Sequence, residues 1–516
     1  MIAVSDGWKA AHKKLLLPET HIEITYAVTE PGLQADALSA GNMEDDFSEA
    51  ENLLSTAPAI REKYSCLEHN FWGLDGTFEY YDGSPKNPGY ITTEFSNDSA
   101  VFTALPTITI TLSKTHVIAI PGITITWSEV FSEWATKFRI SAYNDDVQVA
   151  QTTVENNTQV VSRVWFELNN YNKLVIEVLE WCLPQRRAKI ASIFLGILNI
   201  YTKNDLMRYV HSQSVDLFSA ALPKNEIVFN LRNDDDRWNP DNPTGVERYM
   251  LERQEVIVHY GLEVGDSVEW IDAGHFWLSE WNTPANGLEA SFTARDAIEF
   301  MGDNYIGIKS GTLYDIAIAA FEQAELPVVD DGSLRYEVDQ ILKNYSTEIQ
   351  NEHTIAEILQ LVAHMGCCVL YQTRDGKVHL VQRGTDETDY EITQDISYAH
   401  PEIVISKPLK AVAVDHVVDN EDVRMTLTVG ASGEVQTIAN ELIQTGNDAY
   451  RVAYATAELL KGRKTISGDF RANPCLDALD IIKVHSKYAE NTVVLTDIEY
   501  SMTGGAIRGS YTGRIM

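Results

Sequence analysis

Short runs in which apolar and polar residues alternate fill much of the chain between residues 107 and 179. They are residues 107–112, 122–127, 137–143, 160–168 and 173–179. Polar or Gly/Asn turns separate the runs, and no helical period is visible between them. Regularly spaced strands of this kind are typical of a β-sandwich or jelly roll. The pattern therefore predicts such a module over residues 62–198.

The same alternation assigns the two faces of each predicted strand, because successive side chains of a strand point to opposite sides. The residues predicted to face inward are Phe138, Ile140, Ala142, Val160, Val164, Phe166 and Leu168. This phase leaves Tyr143, Arg163 and Trp165 on the outer faces. An outward-facing tryptophan is either exposed to solvent or covered by a partner.

Beyond residue 200 the pattern changes to strands with occasional helices. Thr354 and Glu357 form a capping box that predicts a helix ending near Gly366. A second helix is predicted from Thr312, with Pro327 marking its end, and a third over residues 448–461. The strands predicted around them are residues 226–231, 255–260, 275–281, 288–293, 367–372, 377–382, 411–416, 423–429, 480–484 and 492–500. The predicted fold class is mainly β with some α (α+β), in several domains.

Composition limits the partners of the chain. Its 516 residues carry 75 acidic and 40 basic side chains, a net charge of −35, while 44% of the residues are hydrophobic. The apolar content excludes a disordered chain, and the length requires more than one core. Because binding to a phosphate backbone needs a basic surface, we expect no sequence-specific nucleic-acid partner.

The sequence also predicts neither a membrane span nor a secretory signal. No run approaches the roughly 18 to 20 apolar residues that cross a bilayer, and residues 1–14 lack an apolar run after their lysines. We therefore expect folding in a cytoplasm. The five cysteines fit reduced thiols better than a disulfide framework.

No metal or cofactor site is expected from motif spacing. His353 and His364 are eleven residues apart and do not share a helical face suited to a metal. Cys367 and Cys368 enter a predicted strand, where adjacent side chains diverge, so buried thiols are the simpler interpretation.

Hydrolysis is conceivable at one place. Glu129 and Glu133 are four residues apart and lie beside Trp127 and Trp134. Glycosidases need paired carboxylates next to sugar-stacking aromatic rings, but such pairs are common in an acidic chain. Loop packing is the alternative, and no catalytic residue is predicted.

Four residues are predicted to contact a ligand such as a glycan, with loop packing and protein interfaces as the open alternatives. They are Trp134, Tyr143, Arg163 and Trp165. Aromatic rings and a guanidinium are the groups that such contacts use.

Two regions of the sequence resemble the hub, or tail-tip, proteins of bacteriophage tails and of related contractile injection machines. The first comprises EIVFNLRNDDDRWNP at 226–240, QEVIVHYG at 254–261 and AGHFW at 273–277. The second comprises GDFRANP at 468–474, DIIKV at 480–484 and DIEYSMTGG at 497–505. The resemblance covers residues 200–516 and extends to residues 8–28. Residues 186–197 are similar to the last strand of discoidin-like, galactose-binding-like jelly rolls.

The resemblance implies a structural protein with no enzymatic activity, located at the tail tip or baseplate of a virion and assembled in the cytoplasm of a bacterial host. Hubs of this family form a ring, commonly a homotrimer, of β-barrel-containing domains that closes the tail tube. The implied partners are further copies of the chain, the distal tail ring, the tape measure, spike or fibre proteins, and a cell-surface glycan. Two alternatives remain: a glycan-binding or glycan-hydrolysing host-recognition protein, and an adhesin without hub geometry.

The resemblance also implies a division of the chain into five parts. These are the N-terminal part of the hub (1–61), an inserted jelly-roll, carbohydrate-binding-like module (62–198), a first hub β-barrel (199–305), an α+β hub domain (306–410) and a second hub β-barrel (411–516).

Overall fold

A computed structural model describes residues 1–14, 17–45, 48–54, 63–68, 78, 89–242, 244–265, 267–283, 287–324, 326, 334–418, 421–503 and 506–516. Three predicted features lie outside these residues: the boundary at 61/62, the helix end at Pro327, and the two glycines at 504 and 505.

The strands and helices have the following bounds. The strands are β1 (Thr20–Val28), β2 (Ala37–Gly41), β3 (Tyr90–Phe95), β4 (Thr107–His116), β5 (Ile120–Thr126), β6 (Ala135–Asn144), β7 (Val147–Val154), β8 (Val161–Leu168), β9 (Tyr171–Trp181), β10 (Arg187–Ile190), β11 (Ser192–Phe194), β12 (Ile197–Thr202), β13 (Leu206–Ser214), β14 (Lys224–Arg232), β15 (Glu255–Val264), β16 (Ser267–Asn282), β17 (Glu289–Arg295), β18 (Ser310–Thr312), β19 (Tyr336–Val338), β20 (Ser346–Glu348), β21 (Val369–Gln372), β22 (Val378–Val381), β23 (Glu387–Ile392), β24 (Glu402–Ile405), β25 (Leu409–Val418), β26 (Glu421–Thr428), β27 (Glu434–Ala439), β28 (Lys464–Arg471), β29 (Ile481–His485), β30 (Glu490–Met502) and β31 (Ile507–Ile515). The helices are α1 (Asp6–His12), α2 (Leu33–Asp36), α3 (Leu313–Gln323), α4 (Ile355–Gly366) and α5 (Gly446–Leu460). The predicted fold class, mainly β with some α, is confirmed.

The chain divides into two compact units. The sandwich unit comprises Thr25–Ile200 and Arg237–Glu255, and the long-sheet unit comprises Met1–Ile24, Tyr201–Asp236 and Val256–Met516.

In the sandwich unit, two sheets share one apolar core. One has the strand order β2-β4-β9-β6-β7 and the other the order β11-β5-β8. Both contribute buried side chains to the core, among them Phe138 and Ile140 from β6 and Val164 and Leu168 from β8. The predicted inward phase of these strands is therefore confirmed. Trp165, on the opposite phase, is 51% exposed.

In the long-sheet unit, the strands follow the order β15-β16-β17-β14-β13-β30-β31-β28-β24. Strand β29 pairs with β30, and β23 pairs with β29. Among the described strands this sheet stays open at β24. The described strands therefore form a continuous open sheet where the resemblance led us to expect closed barrels. Strand β30 explains the branching, because its 13 residues are long enough to pair with β13, β29 and β31.

Local sequence signals account for the helices of this unit. Thr354 and Glu357 make both hydrogen bonds of the predicted capping box. Thr312 and Thr445 also accept backbone N–H bonds as N-caps, which start α3 and α5. Helix α4 ends at Gly366, and Cys367 takes the left-handed conformation (φ 53°) as the C-cap. The prediction of a strand from residue 367 was therefore wrong at its start, because the helix continues through Gly366 and β21 begins at Val369.

A buried polar network joins several strands of the long-sheet unit. The Nε2 of His211 lies 2.9 Å from the Oδ1 of Asn225, and its Nδ1 lies 2.9 Å from the Tyr260 hydroxyl. Because an amide oxygen only accepts, Nε2 donates to Asn225, and a neutral ring then accepts the Tyr260 hydroxyl proton at Nδ1. Burial lowers the pKa of His211 to about 4, in agreement with that assignment. The Arg374 guanidinium, also buried, lies 2.8 Å from a carboxylate oxygen of Asp477.

Candidate functional site

Two of the four predicted contact residues lie together on the sandwich unit. Arg163 and Trp165 are two residues apart on β8, so they share its outer face. The Nε of Arg163 donates to the Leu198 carbonyl at 2.5 Å, which fixes the stem of this side chain. Trp165 pairs across the sheet with Gly122, and its side chain is 51% exposed.

The other two residues lie elsewhere. Trp134 packs against the sandwich core, and its Nε1 donates to the Asn157 carbonyl at 2.9 Å. Tyr143 lies near the end of β6 in the other sheet, with the Lys173 ammonium 5.1 Å from its ring centroid. The structure therefore brings Arg163 and Trp165 together but does not gather all four into one site. Glycan contact by any of them stays a prediction.

Charged and aromatic side chains that the sequence did not single out adjoin this face of β8. The Tyr249 hydroxyl donates to Glu167 Oε2 at 2.9 Å, and an Arg248 nitrogen lies 3.7 Å from the same oxygen. The Arg248 guanidinium also lies 4.6 Å from the centroid of the Tyr249 ring. Burial and the hydrogen bond to Glu167 raise the pKa of Tyr249 to about 12, so the phenol remains a donor.

We call the set Arg163, Trp165, Glu167, Arg248 and Tyr249 the β8 face. It combines an exposed indole with two guanidinium groups and a carboxylate. Such a combination can stack on the apolar side of a sugar ring while hydrogen-bonding to its hydroxyls. Arg248 and Tyr249 are some 80 residues from β8 in the chain, which is why the strand pattern gave no signal for them.

The carboxylates considered for hydrolysis have different environments. Glu133 is 1% exposed, and its Oε2 lies 2.7 Å from the Lys189 Nζ and 3.0 Å from the Trp181 Nε1. Glu129 is exposed in the preceding turn. A general acid and its partner must both reach the scissile bond, so a fully buried and ion-paired Glu133 does not form that pair with Glu129.

Glu133 belongs instead to a buried ion cluster. The Lys189 Nζ lies 2.7 Å from Glu68 Oε1 as well, and the Cys66 thiol donates to Glu68 Oε2 at 2.9 Å. Burial alone would lower the pKa of Lys189, but Glu68 and Glu133 raise it on balance. Burial raises the pKa of the Cys66 thiol to about 12, which makes it a poor nucleophile. The cluster links β10 to Glu68 and Glu133.

The histidines considered as metal ligands also lie apart. His353 Nε2 is 2.8 Å from Glu441 Oε1, whereas His364 is buried near the end of α4. Within the described residues, the groups whose donor atoms are close enough to hold a metal ion are Glu19, His21 and Glu263, and Glu391, His485 and Glu490.

In the part of the chain that the structure describes, no helix combines the length and the apolar character that crossing a membrane requires. No protein-family model matches the chain. No curated protein matches it either.

The chain is similar to solved structures of tail proteins, the class that the two sequence regions resemble. The 43 kDa tail protein of prophage MuSo2 from Shewanella oneidensis is 12% identical, with a TM-score of 0.43 over 61% of this chain and 95% of that chain. The tail protein from Neisseria meningitidis MC58 is 11% identical, with a TM-score of 0.42 over 62% and 94%. The family 32 carbohydrate-binding module of NanJ from C. perfringens, solved with galactose, is 18% identical, with a TM-score of 0.21 over 34% and 99%.

Proposed function

We propose that the chain is a structural component of the tail tip or baseplate of a phage or phage-like machine. Copies of it assemble into a homotrimeric hub ring that closes the tail tube and seats spike or fibre proteins. The sandwich unit serves as a glycan- or partner-binding module. The protein acts through interfaces and converts no substrate.

The two sequence regions that carry the resemblance support this proposal by their place in the fold. The first region contributes β14, β15 and β16, and the second contributes β28, β29 and β30. All of these strands belong to one sheet of the long-sheet unit. The resemblance therefore concerns one continuous structural element rather than scattered matches.

The observation that carries the assembly proposal is the open edge of that sheet. Strand β24 pairs with β28 on one side, and no described strand pairs with its other side. Its residues Ile403, Val404 and Ile405 are 39%, 53% and 61% exposed, so both faces of the strand present apolar side chains. An apolar edge strand is a template for pairing with another chain. In the proposed ring, a neighbouring copy covers it.

Mass photometry of the purified chain tests the assembly. The wild type is expected to form a concentration-dependent oligomer with three copies as its closed state. The double substitution Ile403→Lys, Ile405→Lys places two charges on the edge and is expected to shift the protein to monomer. Val147→Lys is the matched control, because Val147 is 68% exposed on the edge strand β7 of the sandwich unit. A wild type that stays monomeric at every concentration, or a control that dissociates the oligomer equally, would contradict the proposal.

A role of the β8 face in glycan binding is the second part of the proposal. The exposed Trp165 beside Arg163 favours it, since stacking on an aromatic ring needs an uncovered ring face. The direct assay titrates a galactose-terminated polysaccharide into the protein and follows binding by tryptophan fluorescence. Trp165→Ala is expected to weaken binding roughly 10- to 100-fold, which corresponds to losing a central aromatic contact. Trp270→Ala is the control, because Trp270 is 42% exposed in the long-sheet unit. Equal binding by the two variants would remove the β8 face from this role.

A further inference from the structure

Three side chains of types that can ligate a metal ion lie close together in the long-sheet unit. The donor atoms of Glu19, His21 and Glu263 all lie within 4.8 Å of one another. All three residues belong to the long-sheet unit. No motif in the sequence joins them, because Glu263 is more than 200 residues away from the other two.

The backbone holds these residues in register. Glu19 directly precedes β1 and His21 is its second residue; being two residues apart along an extended chain, their side chains emerge on the same side. The Glu263 amide donates to the Glu19 carbonyl at 3.1 Å, which fixes β15 beside this part of β1. Ligands on paired strands are positioned more rigidly than ligands on loops.

The His21 imidazole carries an unsatisfied nitrogen that faces the two carboxylates. Its Nε2 is buried and forms no hydrogen bond with any described residue. The nearest carboxylate oxygen, Glu263 Oε1, lies 3.8 Å away, which is too long for a hydrogen bond. A buried nitrogen without a partner costs free energy, and a bound ion is one arrangement that removes the cost.

We propose that Glu19, His21 and Glu263 bind a Zn²⁺ ion. One imidazole and two carboxylates, with water in the fourth position, are ordinary zinc ligands, whereas Ca²⁺ and Mg²⁺ prefer oxygen ligands alone. Tetrahedral bonds of about 2.0 to 2.1 Å separate neighbouring donor atoms by roughly 3.3 Å. The separation of 3.8 Å between His21 and Glu263 needs only a small side-chain rotation, and Glu263 is 46% exposed and free to make it.

A lysine next to the site gives the proposal a second consequence. The Lys203 ammonium forms an ion pair with Glu19. This ammonium competes with a divalent cation for the Glu19 carboxylate and also repels the cation. Removing its charge should therefore strengthen zinc binding at this site. Zinc bound nonspecifically to an acidic surface elsewhere on the chain would not respond to that change.

The second group of close donors provides a matched comparison. His485 Nε2 lies 3.1 Å from Glu391 Oε2, and Lys483 lies 3.0 Å from Glu490. The same ligand types are present there, but the imidazole nitrogen already has a hydrogen-bond partner. This geometry assigns the higher zinc affinity to the site at His21.

Isothermal titration calorimetry of the full chain with ZnCl₂, after treatment with a chelator, tests the proposal. The wild type is expected to bind one zinc per chain in its tightest phase. His21→Gln should weaken that phase at least about 100-fold, Lys203→Met should tighten it roughly fivefold, and His485→Gln should leave it unchanged. Circular dichroism of each zinc-free variant confirms that it is folded, and Glu263→Gln replaces His21→Gln if that variant does not fold.

Several results would overturn the proposal. One is a wild type without saturable zinc binding. Another is a His21→Gln variant that binds like the wild type, and a third is loss of the tight phase in His485→Gln. Weaker binding by Lys203→Met would also contradict the assigned geometry. None of these readouts depends on assembly or on glycan binding, so the outcome is independent of the proposed function.

Discussion

Breaking the buried ion cluster at Lys189 should destabilise the sandwich unit strongly. Lys189 is 1% exposed and lies 2.7 Å from both Glu68 and Glu133. Lys189→Met keeps most of the side-chain volume but removes the ammonium that the two buried carboxylates share, while Arg186 Nε remains 3.6 Å from Glu133 Oε1. Removing one partner of a buried ion pair costs about 3 to 5 kcal/mol. That range is a large share of the stability of an ordinary domain.

Hydrogen exchange measured by mass spectrometry can detect this loss in the full chain. Peptides covering β10 should exchange about 100- to 4,000-fold faster in Lys189→Met, since each 1.4 kcal/mol changes an opening equilibrium about tenfold. Glu129→Gln is the control, because Glu129 is exposed and a surface change of this kind stays within about 0.5 kcal/mol. Unchanged exchange in Lys189→Met would refute the conclusion that the cluster holds β10 in place. Hydrolysis of a glycan that depends on Glu133 while β10 stays protected would instead favour an enzyme.

Three further changes have defined outcomes. Thr354→Ala removes the N-cap acceptor of α4 and should lower the free energy of unfolding by about 1 kcal/mol, measured by denaturant titration, whereas Thr354→Ser should lower it by less. Gly122→Ala places a Cβ 1.9 Å from the Val164 carbonyl oxygen at φ 152°, so the thermal unfolding midpoint of the sandwich unit should fall, by an amount equivalent to about 1 to 3 kcal/mol. Because His211 has a folded pKa of about 4, below its ordinary value of about 6.5, the wild type should lose about 3 kcal/mol through this residue as the pH falls from 6.5 to 4. Burial raises the pKa of Asp296 to about 7, so this residue raises the free energy of unfolding as the pH falls from 7 to 4, opposite to the effect of His211. The test is therefore the difference in the pH dependence of unfolding between the wild type and His211→Asn.

The sequence predicted those parts of the fold that depend on local patterns. The alternation in 137–143 and 160–168 located β6 and β8 and assigned their buried faces correctly. The threonine caps at 312 and 354 located α3 and α4 to within a residue at their starts. Each of these signals is contained in a few neighbouring residues, which is why one sequence sufficed.

Elements that depend on distant partners were missed. Strand β7 is an edge strand in which Val147 is exposed, so it lacks the buried face that makes a strand visible in the pattern. Cys367 was assigned to a strand because nothing local distinguishes it from a C-cap residue. The partners of Lys189, and the pairing of His21 with Glu263, join positions about 50 to more than 200 residues apart in the chain. Side-chain chemistry assembled over such separations becomes visible only once the strands are placed.

The central claim is that copies of this chain form the ring on the axis of a tail tip. Cryo-electron microscopy of the assembled particle that carries the chain tests it most directly. We predict three copies arranged around the tail axis, with β24 of each long-sheet unit covered by a neighbouring copy. A particle that lacks the chain, or that carries it only at its periphery with β24 uncovered, would contradict the account.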